Sequence, residues 1–351
     1  RGLGNGFVAA RDSVIVFYSI LVLLIGALFN SWEDLRKFLR IFLLVGLVLN
    51  VLLFVKMFTV GFGISEMATP RLFGARTSGF LFLTGTLAIS GVFGRRSSSK
   101  KALRFFGIGQ FCMVILLSGT RNVWIATAAS FLFWFVFIKR NSFSVKSLIV
   151  YSLIIAIFAF GITSLSRSQY IGDSMSESFK KAAGSIFYYQ RSANASNRMS
   201  WWKEAISITL DENPVLGKPF GSMTLFTKYD RKYDAYMRMA FHNSYVTVFY
   251  YTGILGLSLL LFILYKVLRL GVRLSNSGSS LIMRRINASL TTSFFFYCVI
   301  AIFNVILEGP QSAMVYWLLL GLIIVLQKFS DRSRTSIDSV VNDPDLSKCI
   351  T

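Results

Sequence analysis

Apolar runs of about 20 residues recur from one end of this chain to the other, long enough as helices to cross a hydrocarbon core of roughly 30 Å. Buried strands are about 4–8 residues long and cannot account for such runs. A backbone in lipid must satisfy its own hydrogen bonds, so the runs are read as helices. The alternating pattern of an outer-membrane barrel is missing. Only 15% of the 351 residues are charged, against roughly 25% in a soluble domain. The expected fold class is all-α, a polytopic transmembrane helical bundle. Spans fall near 12–31, 38–60, 78–93, 104–119, 121–138, 147–165, 242–265, 289–307 and 311–328, about nine in all by the length rule.

A formal charge of +21 would point to nucleic acid in a soluble protein. Here the basic residues sit in short loops between spans, so no nucleic-acid partner is expected. Arg36, Lys37 and Arg40 follow the first span, and Arg95, Arg96, Lys100, Lys101 and Arg104 the third. Lys139, Arg140 and Lys146 follow the fifth, Lys266, Arg269, Arg273, Arg284 and Arg285 the seventh, and Lys328, Arg332 and Arg334 the ninth. These loops alternate along the chain, and the positive-inside rule places them in the cytoplasm. The loops at 61–77, 166–241 and 308–310 then face outward. One transmembrane domain is expected over residues 1–329, followed by a disordered, polar cytoplasmic tail at 330–351. No signal peptide is visible, because a full-length span follows Arg11 directly. Further residues, whole spans included, are expected to precede Arg1. Cys112 and Cys298 lie in apolar runs and Cys349 in the tail, so neither a disulfide framework nor metal-ligand spacing is present.

The long outward loop, about 166–241, contains an organised stretch. Ser196 or Asn197 can cap a helix. Met199, Trp202, Ala205, Ile206 and Thr209 then fall on one side at helical spacing. Asn213-Pro214 ends it, because proline disfavours helical geometry in the residue before it. Trp201 and Trp202 suit a membrane interface, and an amphipathic helix lying across the outer face is expected.

Polar residues able to carry chemistry gather on that same side. His242 is the only histidine in the chain and opens the seventh span. Its unperturbed pKa of about 6.5 suits proton transfer at neutral pH; an interfacial helix cap is the simpler alternative. Arg121 sits in a tight outward turn, Arg71 and Arg76 precede the third span, and Arg198 opens the amphipathic helix. The positive-inside rule disfavours basic residues here. Arginine's planar fork matches phosphate oxygens, so a diphosphate clamp is one reading; snorkelling to lipid phosphates is the other. Glu308, the only acid in the last outward turn, is positioned to orient His242 or to pair with an arginine. A single histidine, with no carboxylate pair at ligand spacing, makes a metal site unexpected, and no cofactor motif is present.

The run HNSYVTVFYYTGILGLSLLL from His242 resembles the His-Asn-x-Tyr and Thr-Gly-x-x-Gly span of the O-antigen ligase and O-antigen polymerase family. Arg198–Gly221, RMSWWKEAISITLDENPVLGKPFG, resembles that family's Arg-x-x-x-Trp and Asn-Pro-x-x-Gly-x-x-x-Gly segment. SGTRNVWIA at Ser118–Ala126 resembles its Ser-x-x-Arg span start, with Thr120 where a serine is common, and RLFGARTSGF at Arg71–Phe80 is a looser match. The resemblance covers residues of about 70–325. It implies a bacterial inner-membrane glycosyltransferase that needs neither metal nor nucleotide sugar. The donor would be a glycan on undecaprenyl diphosphate, and the acceptor lipid A–core or another lipid-linked glycan. His242 would be the base, and Arg121 and Arg198, with Arg76 beside them, would hold the diphosphate. A polysaccharide transporter or flippase is the alternative. That class places ionisable groups at mid-membrane, and here the spans are almost free of charge, Lys56 being the main exception.

Overall fold

The computed structural model describes residues 13–59, 75–91, 93, 97–118, 121–138, 193–222, 229–230, 235–236, 241–277 and 280–341. The expected span at 147–165 and Arg71 lie outside them.

The described chain is helical. Its helices are α1 Ile20–Leu28, α2 Trp32–Thr59, α3 Ala75–Ser90, α4 Ser97–Ser118, α5 Arg121–Phe133, α6 Ala193–Glu212, α7 Ser244–Ser277, α8 Leu281–Ala301 and α9 Pro310–Val341. A π-turn at Trp134–Ile138 extends α5. A two-residue antiparallel ladder pairs Tyr229–Asp230 with Ala235–Tyr236. Local chemistry sets several boundaries. Ser31 Oγ accepts from the Asp34 N–H at 3.1 Å and donates to its carboxylate, a reciprocal cap for α2. Ser280 caps α8 through the Met283 N–H. Gly91, at φ +64°, stops α3 in the left-handed conformation that glycine tolerates.

Helix α8 is central, packing on α3, α5, α7 and α9. Phe82 stacks on Phe296 at 4.2 Å between ring centroids, and Phe133 stacks on Phe295 at 4.3 Å. Buried hydroxyls and amides join the helices where small residues let backbones approach. Thr86 Oγ1 lies 3.0 Å from Ser293 Oγ, and Asn287 donates to Gly271 O at 2.6 Å. Leu255, Leu259 and Phe262 are all more than half exposed; spaced along one face of α7, they form a surface that suits lipid and not water. Ser244–Ser277 and Pro310–Arg332 are long and apolar enough to cross a membrane, and residues 13–28, 77–90 and 122–138 form shorter apolar helices.

Four boundaries depart from expectation. α6 begins at Ala193, ahead of Ser196, and α7 continues through the basic segment to Ser277. α9 runs to Val341, into the stretch expected to be a disordered tail; the first proline after it in the sequence is Pro344, and proline is what most firmly stops a helix. α8 ends at Ala301, and the apolar run 302–307, expected to complete a span, is an irregular loop with Ile306 and Leu307 buried. At the contact of α2 with α3, Phe42 meets Phe80 and Gly46 meets Thr84. The two helices advance there in the same sense, where alternating spans would advance in opposite senses.

Candidate active site at one end of the bundle

Helix directions decide which residues share an end. α3 runs antiparallel to α8, since Gly79 faces Tyr297 and Thr86 faces Ser289 and Ser293. It also runs antiparallel to α4, with Phe82 on Phe111 and Gly91 beside Arg104. α5 returns along α4, with Phe131 on Phe111. α9 leaves beside α8, with Tyr316 on Phe294. The starts of α3, α5 and α9 therefore lie at the end where α8 stops. Arg76 is the second residue of α3 and Arg121 the first of α5. The start of α7 joins them, because the Tyr245 hydroxyl donates to Cys298 O at 2.9 Å. Helix N-termini carry positive potential and point unpaired N–H groups outward, so this end favours an anion even before its arginines are considered.

His242 stands at this end in a constrained backbone. Its φ of +53° makes it the only non-glycine residue with positive φ among the described residues. Histidine, asparagine and aspartate tolerate that region better than most, and such outliers persist where the surroundings over-determine them. The surroundings do so here. On one side the Trp202 indole of α6 donates to Phe241 O at 2.6 Å. On the other, Asn243 Oδ1 accepts from the N–H groups of Tyr245 and Val246, at 3.0 and 3.1 Å, and caps α7. The imidazole is half-buried, and its pKa is held below 6.5, first by burial and then by the nearby Arg198 guanidinium. At neutral pH the ring is therefore neutral, the form that accepts a proton.

Arg198 reaches from α6 to donate from Nη1 to Phe303 O at 3.1 Å. Glu308, considered from sequence as a partner for His242 or an arginine, is partly buried, and Ser244 Oγ donates to its Oε2 at 2.6 Å. Burial raises the Glu308 pKa, while the hydroxyls of Ser244 and Thr247 and the local backbone N–H groups act the other way. No group of three or more histidine, cysteine or acidic residues able to hold a metal occurs among the described residues.

A second contact fixes the height of this end. α7 is broken at Gly253, at φ 60° and ψ −161°. The segment after α6 is seated in the break. The Ile254 and Leu255 N–H groups donate to Pro214 O and Val215 O at 2.9 and 3.3 Å, and the Lys218 N–H donates to Tyr250 O at 2.7 Å. A Cβ on Gly217 would lie 2.5 Å from Gly253 N and 2.6 Å from Thr252 N. Lys218 pairs with Glu212, and Phe220 stacks on Tyr251 at 5.2 Å. The Asn-Pro-x-x-Gly and Thr-Gly-x-x-Gly stretches are thus two halves of one backbone joint. In the sequence alone, Gly253 and Gly256 read as close contacts between helices. The recurrence of glycine in both stretches was the signal available.

The described residues define a class: a mainly helical bundle with an apolar outer face, carrying a histidine of lowered pKa near a guanidinium at one end. Residues 106–261 match the sequence model of a family described as O-antigen ligase. Over this stretch the chain is similar to that O-antigen ligase family. The match takes in Arg121, Arg198, His242 and both halves of the joint, and leaves Arg76 and Glu308 outside. A search of curated proteins finds no match.

Removing the Arg198 charge should raise the His242 pKa toward its ordinary value. Because the folded state holds that pKa down, the unfolded chain binds more protons in the window just below pH 6.5. Stability is then complete above pH 6.5 and declines as pH falls through the window. Thermal melting between pH 5 and 7 should show this slope in the wild type and a shallower one in Arg198→Gln. Equal slopes would mean that Arg198 does not act on the ring.

Proposed function

We propose that this chain is a bacterial inner-membrane enzyme that transfers a glycan from undecaprenyl diphosphate to a sugar hydroxyl of lipid A–core or of another lipid-linked glycan, on the periplasmic face. The observation that carries the reading is a neutral His242 held in an over-determined backbone beside Arg198. In the proposed step His242 takes the proton of the acceptor hydroxyl. The acceptor oxygen then bonds to the anomeric carbon as the carbon–oxygen bond to the diphosphate breaks. The electron pair leaves with the diphosphate. Arg198, Arg121 and Arg76 hold that leaving group, and fixed guanidiniums supply the charge stabilisation that a metal provides elsewhere. Attack is direct, because no nucleophile for a covalent intermediate stands out in the sequence, and the anomeric configuration inverts. Glu308 orients the His242 segment through Ser244. The basic loops after the third, fifth, seventh and ninth spans support the periplasmic placement of this end, with the loop near 166–241 outside and the tail inside.

Purified full-length protein in liposomes, given an undecaprenyl-diphosphate glycan and an acceptor glycolipid, should release undecaprenyl diphosphate and form an inverted linkage at an undiminished rate in chelator. A retained configuration would overturn direct attack, and loss of activity in chelator would overturn the arginine clamp as sole support of the leaving group.

A further inference from the structure

The loop Ile302–Gly309 between α8 and α9 is irregular yet carries buried residues, Ile306 and Leu307 at 1% exposure. A buried loop needs partners for its backbone groups, and two side chains from elsewhere supply them. Ser244 Oγ accepts from the N–H groups of Ile306 and Leu307 at 2.9 and 3.1 Å. Those two donors fill the lone pairs of the hydroxyl oxygen. Its single hydrogen is left to donate, to Glu308 Oε2 at 2.6 Å or to Asn304 O at 3.1 Å. From the other side Arg198 Nη1 donates to Phe303 O. One loop is therefore fastened both to the residue two places after His242 and to the guanidinium beside His242.

We propose that Ser244 is a positioning residue: it docks the 302–309 loop against the start of α7, and the docked loop holds Arg198 at His242. The inference deepens the reading of His242 as the base, but its test reads the ring directly and not the reaction. The charged and titratable groups concerned are Arg198 from α6, Glu308 from the loop, and Arg76 and Arg121, whose helices begin at the same end. The sign separates Arg198 from Glu308. Removing the Ser244 hydroxyl takes away a group that favours the Glu308 carboxylate. A less anionic Glu308 would lower the His242 pKa, whereas a retreating Arg198 would raise it.

The chain contains one histidine, so full-length protein labelled with 13C at the imidazole, purified through a histidine-free tag and placed in lipid nanodiscs, gives a single titrating signal. In Ser244→Ala the midpoint is expected to rise by as much as in Arg198→Gln, and in Ser244→Thr, which keeps the hydroxyl, to return to the wild-type value. If Ser244→Ala does not accumulate as folded protein, Ser244→Cys takes its place in the same titration with the same upward shift expected. A midpoint unchanged by loss of the hydroxyl overturns the proposal, as does an Arg198→Gln midpoint equal to wild type. In the transfer assay Ser244→Ala should lower kcat about tenfold to a hundredfold, the cost of a misplaced group, with KM little changed. Absence of transfer in the wild type, with the shifts as expected, would refute the functional reading and leave the positioning role standing.

Discussion

A methyl group added at Gly253 is expected to destabilise the protein by about 3–5 kcal/mol, enough to deplete the folded form of a marginally stable domain. Two costs combine. The backbone at φ 60° and ψ −161° lies in a region that is essentially glycine-only, where another residue costs about 1–3 kcal/mol. The added Cβ would also meet backbone, not a side chain that can rotate away: Gly217 N at 2.7 Å and the Val215 carbonyl. Relief would require the segment after α6 to leave its seat, unpairing the N–H groups of Ile254, Leu255 and Lys218. Gly217→Ala should behave alike, since Gly217 has φ +72° and faces Gly253 in return. Gly109 makes the comparison: it lies within α4, and a Cβ there meets nothing within 4 Å, so alanine should be neutral or stabilising by about 0.5–1 kcal/mol through helix propensity. Fluorescence-detected size exclusion of heated, detergent-solubilised protein would show this ordering. Gly253→Ala melting with the wild type would show that the joint carries no stability.

His242→Ala is expected to lower glycan transfer by about 10²–10⁴-fold, the usual worth of a positioned general base, without loss of folded protein. The ring is half-buried, and the cap and tie around it are made by Asn243 and Trp202, so removing the imidazole leaves them intact. Alanine at φ +53° adds strain of about 1 kcal/mol, which a melt would register separately from the chemistry. Asn243→Ala should show the opposite balance. It leaves the imidazole and removes the helix cap, costing about 1 kcal/mol and displacing the base.

Much of this architecture could be read in the sequence because lipid leaves the chain few choices. Apolar length alone located α3, α5 and the start of α9 to within a few residues, and Asn213-Pro214 located the end of α6 at Glu212. The same rule failed at 302–307, where an apolar run is a loop. Hydropathy measures burial and cannot distinguish a buried helix from a buried loop whose backbone is satisfied by Ser244 and Arg198, residues about 60 and 105 positions away. The break at Gly253 was hidden for the same reason, since its partners lie on the segment after α6. Among the candidate site residues, His242 and Arg198 stood out because a lone histidine and misplaced arginines are rare on that side of a membrane protein. Their mutual electrostatic contact required the fold. Ser244 gave no signal in one sequence, because serine at the start of a helix is ordinary.

The most direct test is made in a host that depends on the full-length gene, carrying either the wild type or His242→Ala at equal expression, with membrane glycolipid resolved by gel and the undecaprenyl-linked pool analysed. The expected result is loss of long glycan from its acceptor in the variant, with donor accumulating on undecaprenyl diphosphate. Long polymer in that pool would identify a ligase, and single repeats a polymerase. Normal glycan from an expressed His242→Ala protein would contradict the assignment of His242 as the base and the mechanism built on it.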